Sequence, residues 1–246
     1  MLPLKSKDTL PYQKVLLKLS GESLQGENSS IDPDSFAHVS KQIREIHSLG
    51  IKLSIVVGGG NIIRGRSLPT QGGRIERSTA DYMGMLGTVI NAIALQNTLE
   101  SMGVPTRVLS AIRLDTIAEP YIRSKAMRHL EKDRVVIFAA GTGSPYFSTD
   151  TAAVLRALEV KADILLKATK VNGVYDSDPI THHDAKKFEI LTYLDVLKKK
   201  LKVIDSTAVS LCMDNSLPII VFNLWQKNAL KDIIQGETLG TLITGG

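Results

Sequence analysis

Short apolar runs rich in Val, Ile and Leu recur along the chain with amphipathic helical patterns between them, and this alternation restricts the fold more than any other feature. The runs are Lys14 to Leu19, Lys52 to Val57, Thr106 to Leu109, Arg134 to Ala139, Asp163 to Leu166 and Pro218 to Phe222, with Gly240 to Thr244 as a candidate edge strand. Strand–helix alternation builds βα units on a parallel sheet, and continuous apolar runs suit strands covered on both faces. An α/β fold with a mostly parallel central sheet is therefore expected. The 246 residues contain no Pro/Ser-rich linker or low-complexity run, so one domain spanning 1–246 is expected, with 1–13 as a flexible N-terminal extension.

Two helices carry end signals. Asp32 is placed to cap a helix with Pro33 in its first position and Gly50 as its left-handed stop, and Phe36, Val39, Ile43, Ile46 and Leu49 form its apolar stripe. His38 and His47 fall off that stripe and read as surface residues. The second helix is expected to open with Ser78-Thr79-Ala80-Asp81, a capping-box spacing, and to run to Gly103. Its apolar residues Met83, Leu86, Val89, Ile90, Ile93 and Leu99 extend round much of the circumference, which predicts burial on more than one side and a subunit interface.

Four strands empty into loops of small residues: LLKLSGESL (Leu16 to Leu24), SIVVGGGNIIRG (Ser54 to Gly65), AAGTGSPYFSTDTAA (Ala139 to Ala153) and LLKATKVNGVYDSDP (Leu165 to Pro179). In a parallel sheet such loops emerge at the carboxyl edge of the strands and converge on one crevice. Glycine loops bring backbone N–H groups close to an anion, and helix N-termini add about half a positive charge. With Lys18 and Arg64 between them, two such loops suit a phosphoryl donor and acceptor, whose reaction needs alignment and charge neutralisation. Neither G-x-x-x-x-G-K-[ST] nor a Rossmann G-x-G-x-x-G is present, since Ile63 stands where the latter's third glycine would be.

Each feature also has a purely structural reading. The glycine triplet suits a tight bend, Asp81 a helix cap, Asp150 a first-turn acid, and Asp176 and Asp178 a turn before Pro179, while Asn172-Gly173 is a hairpin signal. The basic run Lys198, Lys199, Lys200 and Lys202 reads as a solvated helix end. A net charge of +5 with 5% aromatic residues is a mild bias toward anionic partners and makes DNA an unexpected one. The single cysteine, Cys212, reads as a buried apolar residue. The first 14 residues lack the apolar core of a secretion signal, and no run approaches the roughly 18 apolar residues of a membrane span, so no membrane association and a cytoplasmic location are expected.

Taken in order, KLSGE, VVGGGNIIRG, DYMGML, AAGTGSPYFSTD and KATKVNGVY followed by DP closely resemble the bacterial uridylate (UMP) kinase branch of the amino acid kinase family. The resemblance runs from Lys14 to the terminal GTLIT. It implies a three-layer αβα sandwich and ATP-dependent, Mg²⁺-assisted phosphorylation of UMP to UDP. By that likeness Lys18, Leu19, Ser20 and Gly21 hold the ATP phosphates, with Lys18 also stabilising the transferred group. Gly59 meets the UMP phosphate, Gly60 the ATP, and Arg64 the phosphates where they join. Asp81 binds the ribose or phosphate end of UMP, and Thr142, Gly143, Ser144, Pro145, Tyr146, Phe147, Ser148 and Thr149 complete that pocket. Thr169, Tyr175 and Asp178 surround the adenosine, Lys167 supplies a second cation at the β,γ bridge, and Asp150 organises the metal, the neighbouring lysine or both.

The family's loop is closer to TGNPFFTTD, so Ser144, Tyr146 and Ser148 are conservative departures. The resemblance further implies a homohexamer built as a trimer of dimers, inhibition by UTP, and GTP as a candidate effector whose site is not legible in this sequence. Two other readings stand beside it. One is a relative phosphorylating a carboxylate, carbamate or isoprenoid phosphate. The other is a non-enzymatic protein, either an oxyanion store, against which the Lys18, Arg64 and Asp150 set argues, or a nucleotide-responsive regulator contacting DNA.

Overall fold

The computed structural model describes residues 10–63 and 75–246. Its strands are β1 (Lys14–Leu19), β2 (Lys52–Val57), β3 (Thr106–Ser110), β4 (Glu119–Pro120), β5 (Val135–Ala139), β6 (Ile164–Thr169), β7 (Val174–Tyr175), β8 (Lys187–Phe188), β9 (Ile190–Thr192), β10 (Ile219–Asn223) and β11 (Thr241–Thr244). The helices are α1 (Pro33–His47), α2 (Arg77–Ser101), α3 (Arg123–Glu131), α4 (Thr149–Val160), α5 (Tyr193–Lys198), α6 (Ser206–Asp214) and α7 (Ala229–Ile234).

Nine strands form one sheet in the order β4-β3-β5-β2-β1-β6-β10-β11-β9, and β7 pairs with β8 in a separate ribbon. Pairing in the large sheet is parallel except between β10 and β11. Alternation along the strands sorts the core. Val15, Leu17 and Leu19 of β1 face one apolar layer with α1, α2 and α7, while Leu16 faces the other with α3, α4, α5 and α6. The result is the expected αβα sandwich, with β1 at its centre between β2 and β6. The chain builds outward from β1 on the β2 side, then crosses back by α4 to β6 on the other. That reversal is a topological switch point, where parallel α/β sheets open a crevice at the carboxyl ends of the strands.

The strand boundaries of β1 and β2 match the sequence runs to the residue. Asp32 caps α1 by accepting from the Ser35 N–H at 2.9 Å, Pro33 begins the helix, and Gly50 has a φ of +83°. Cys212 is buried in the second core layer.

Three expectations are corrected. β11 is not an edge strand, because β9 pairs along its outer side and is itself the edge. α2 does not start with a capping box: Glu76 is its N-cap and makes no side-chain cap hydrogen bond, and Asp81 lies within the helix with its carboxylate turned to other partners. His38 and His47 are half-buried rather than free on the surface. His38 stacks on Trp225 with ring centroids 4.7 Å apart, and His47 Nε2 lies 2.8 Å from Asp133 O. At the N-terminal side Leu10 and Tyr12 pack against the first core layer, and the Gln13 N–H donates to Asp163 Oδ2 at 2.7 Å.

Candidate active site

The ends of β1, β2, β5 and β6 meet at the switch point. Lys18 and Lys167 are register partners on neighbouring strands, so both side chains leave the sheet on the same face. That is the face covered by α4, and the N-terminus of α4 is set by Ser148, whose hydroxyl accepts from the N–H groups of Asp150 and Thr151 at 3.0 and 3.1 Å. Asp150 in the first turn is thereby lowered between the two lysines. Its Oδ2 accepts from Lys167 Nζ at 2.5 Å, and Lys18 Nζ stands 3.0 Å from Oδ1.

All three side chains are largely buried, and their charges regulate one another. Burial pushes the Asp150 carboxyl up, but the Lys18 and Lys167 ammonium groups and their hydrogen bonds outweigh it and hold the group at about 2. Burial is the larger influence on Lys167 and lowers its pKa despite the carboxylate beside it. Two ammonium groups held on one carboxylate leave the group with a net positive charge, a preorganised counter-charge for an anion arriving beside it.

The glycine loop after β2 approaches this point from the side. None of Gly58, Gly59 and Gly60 has a positive φ, so backbone conformation does not explain the triplet. Close approach does. A Cβ on Gly58 would sit 2.9 Å from Gly21 N, and one on Gly59 would sit 2.5 Å from Gly84 O and 2.8 Å from Thr88 N, both backbone atoms of α2. At Gly60 a Cβ would meet no described residue within 4 Å. Two of the glycines therefore let the loop pack against its neighbours, and the third opens on a cavity. Gly21 packs in turn on the second loop, since its Cβ would fall 2.7 Å from Gly60 N.

Asn61 and Asn91, both buried, fasten this loop to α2. Each amide donates to the other's oxygen, at 3.0 and 2.7 Å, while their second N–H groups go to Ser30 O and Gly58 O. Thr88 ties in β5: its hydroxyl donates to Met85 O and accepts from the Ala140 N–H, each at 2.7 Å.

A cavity of about 370 Å³ opens beside the loop. Gly59, Gly60, Asp81, Thr142, Phe147, Ser148 and Thr149 of the predicted set line it. Asp81 Oδ2 accepts from the Tyr146 N–H at 2.8 Å and from Arg77 Nε at 3.2 Å, and the Arg77 guanidinium lies 5.4 Å above the Tyr146 ring. Helix α2 thus holds the 142–148 loop at one side of the cavity. Left-handed geometry occurs just before and within that loop, where Ala140 and Tyr146 take φ values of +62° and +73°; at a non-glycine residue it costs on the order of 1 kcal/mol and tends to be retained at functional sites.

Two further cavities, of about 500 and 610 Å³, lie on the other side of Ser148, which lines both the first and the second. Asp150 and Lys167 line the second, and Thr169, Tyr175 and Asp178 line the third. The segment from Lys200 to Val203 belongs to both, so these two are halves of one cleft. Lys200 and Lys202, read from sequence as a solvated helix end, are exposed as expected but stand at the rim of this cleft. The hairpin signal at Asn172-Gly173 is not the turn of a hairpin: the pair precedes β7, whose partner β8 comes after residues 176–186.

Of the other predicted residues, Leu19 has its side chain in the core, and Ser20 caps the 3-10 turn Gly21–Ser23 by accepting from the Glu22 N–H at 3.3 Å. Gly143, Ser144 and Pro145 lie in the loop held by Asp81, with the Thr142 hydroxyl accepting from the Ser144 N–H at 3.1 Å. Arg64 lies outside the described residues. Sequence reasoning missed Asn91, Thr88 and Asp205. Asp205 caps α6 through the Ala208 N–H at 2.9 Å and accepts from the hydroxyls of Ser148 and Thr151, so it joins α6 to the α4 terminus that carries Asp150. An acid before Ser-Thr-Ala was its one legible sign, as an ordinary helix cap.

The model of the amino acid kinase family matches residues 13–223, which include every strand converging on the site. The chain belongs to the amino acid kinase family. Among amino acid kinase structures similar to it is the crystal structure of UMP kinase from Bacillus anthracis, at 41% identity and a TM-score of 0.91, covering 95% of this chain and 96% of that one. UMP kinase from Ureaplasma parvum is 39% identical with a TM-score of 0.88, covering 94% of this chain and 98% of that one. Both belong to the branch that the sequence motifs resemble.

Proposed function

We infer that this chain is a UMP kinase, transferring the γ-phosphoryl group of ATP to UMP to give ADP and UDP. The observation that carries the reading is the Lys18–Asp150–Lys167 group set between two cavities that share Ser148, in a chain so similar along its length to two UMP kinases. UMP occupies the cavity lined by Gly59, Asp81 and Thr142 to Thr149. ATP occupies the divided cleft, with adenosine beside Thr169, Tyr175 and Asp178 and its phosphates running past Gly21 and Gly60 toward Lys18. Arg64 is assigned to the phosphates from the sequence motif alone.

In this arrangement an oxygen of the UMP phosphate attacks the γ-phosphorus, and the bond from that phosphorus to the β,γ-bridging oxygen breaks. The acceptor phosphate is largely ionised at neutral pH, its second pKa being about 6, so attack requires no proton removal. What the protein supplies is position and charge. Lys18 and Lys167 face the moving group and the leaving oxygen, the α4 N-terminus adds its dipole, and Asp150 keeps both ammonium groups in place.

Mg²⁺ is the metal suited to this reaction, and it is usually held by one or two carboxylates together with phosphate oxygens. Asp150 Oδ1 is buried and, among the described residues, is approached only by the Lys18 ammonium at 3.0 Å, so its second lone pair is open to such a ligand. Among the described residues no group of three His, Cys, Asp or Glu could hold a metal alone. The fit is therefore a metal carried by the ATP phosphates with Asp150 as its protein contact, neutralising charge on the β- and γ-phosphates.

The reading includes a role in pyrimidine nucleotide synthesis in the cytoplasm, a homohexamer built from dimers, and allosteric control with UTP as inhibitor and GTP as candidate effector. No described helix is long and apolar enough to cross a membrane. The test is an acceptor panel with Mg·ATP. ADP release dependent on UMP, and much weaker with carboxylate, carbamate or isoprenoid phosphate acceptors, is expected. Release driven by one of the others and not by UMP overturns the reading.

A further inference from the structure

The donor cleft poses a problem of charge. The second cavity is lined by Asp150, Asp205 and Lys167 together with Lys200 and Lys202. Without the last two its titratable lining is one cation against two anions, a poor surface for a polyphosphate. Adding Lys18, which pairs with Asp150, brings that set only to neutrality. The positive excess of the cavity comes from Lys200 and Lys202. The same is true of the third cavity, where Asp176 and Asp178 face Lys199, Lys200 and Lys202.

Their placement is specific within the basic run. Lys198 lines neither cavity, and the Lys199 ammonium lies 4.9 Å from the centre of the Phe188 ring. Lys200 and Lys202 line both halves of the cleft and make no ion pair with any described residue. Lys200 has a φ of +51° and follows the end of α5, so the chain turns there and runs on along the cleft wall.

We propose that Lys200 and Lys202 form a clamp on the donor polyphosphate and set the enzyme's preference for a nucleoside triphosphate over less phosphorylated forms. This rests on the cleft being the ATP site. The clamp binds and does not take part in bond making, so its loss acts on donor affinity and leaves turnover at saturating donor unchanged. An exposed ion pair is worth about a fivefold change in affinity at most, so two of them together amount to about tenfold or somewhat more.

The test compares wild type with the Lys200→Ala/Lys202→Ala double variant and with Lys198→Ala, which removes a charge from the same run outside the cleft. Calorimetric titration without acceptor should show Mg·ATP binding weakened about tenfold in the double variant, adenosine binding changed less than twofold, and both unaltered in Lys198→Ala. Replacement of both residues by Arg should restore most of the ATP affinity. Steady-state assays should show a raised KM for ATP with kcat and the KM for UMP held. ATP binding unchanged in the double variant, or weakened equally in Lys198→Ala, overturns the clamp, as does a wild type that binds no ATP. A wild type that binds ATP through these lysines but forms no UMP-dependent ADP overturns the UMP kinase reading instead and leaves the clamp standing.

Discussion

At the scale of single residues, Asp150 links stability to chemistry. Its carboxyl is held at about 2, against an ordinary 3.8, by Lys18 and Lys167 acting against the upward push of burial. Across the window from about pH 4 down to about pH 2 the unfolded chain takes up the proton before the native one, so stability falls as the pH falls; above about pH 4 the full contribution, on the order of 2 kcal/mol, is present. Asp150→Asn leaves two largely buried ammonium groups without a counter-charge, which costs on the order of 3 kcal/mol at neutral pH. Denaturant titrations at a series of pH values should show the gap between variant and wild type closing from pH 4 to pH 2. A gap constant across that range would mean that the carboxylate is not what the lysines stabilise. Turnover of the variant should drop by about 100-fold or more, because the cations that meet the moving phosphoryl group lose their alignment.

At the scale of elements, the glycine triplet predicts two different failures from one kind of substitution. Gly59→Ala drives a Cβ into backbone atoms of α2, which cannot move without displacing Thr88 and Asp81. Overpacking of this kind costs about 1–3 kcal/mol. Gly60→Ala meets no described residue and places its methyl where the acceptor cavity and the proposed path of the ATP phosphates meet, so its melting temperature should stay near that of wild type while kcat/KM falls. Equal melting losses in the two variants would refute the division of labour. The same contrast explains what was legible in the sequence. β1, β2 and the Ser148-capped start of α4 were readable because hydrophobic runs and caps are local signals, and they carry Lys18 and Asp150. The Asn61–Asn91 amide pair and the Asp205 bridge were not, because each joins residues 30 or more positions apart that have ordinary local readings. Asp81 was misread as a cap for the same reason: its partner, the Tyr146 N–H, is 65 residues away.

At the scale of the whole molecule, α2 carries more apolar surface than one subunit covers. Met85, Val89, Ala92, Leu95 and Leu99 face the core, while Tyr82, Leu86, Ile90 and Ile93 remain between 37% and 47% exposed at spacings of four, four and three. These spacings place the exposed four on one helix face. Burying such a side chain is worth roughly 1.5–3 kcal/mol, so the face is a strong candidate for the dimer contact of the proposed hexamer. The same helix supplies Asp81 and Thr88 to the acceptor cavity and Asn91 to the glycine loop. Assembly and acceptor binding would then share one rigid element. Ile90→Glu places a charge at the centre of the exposed stripe without touching the core, so the monomer should keep its secondary structure by circular dichroism. Sedimentation velocity should show smaller species than wild type, and the KM for UMP should rise more than the KM for ATP, since the donor cleft has no lining residue from α2. A variant that sediments as wild type would place the subunit contact on another surface. One that dissociates with both KM values unchanged would separate assembly from the acceptor site.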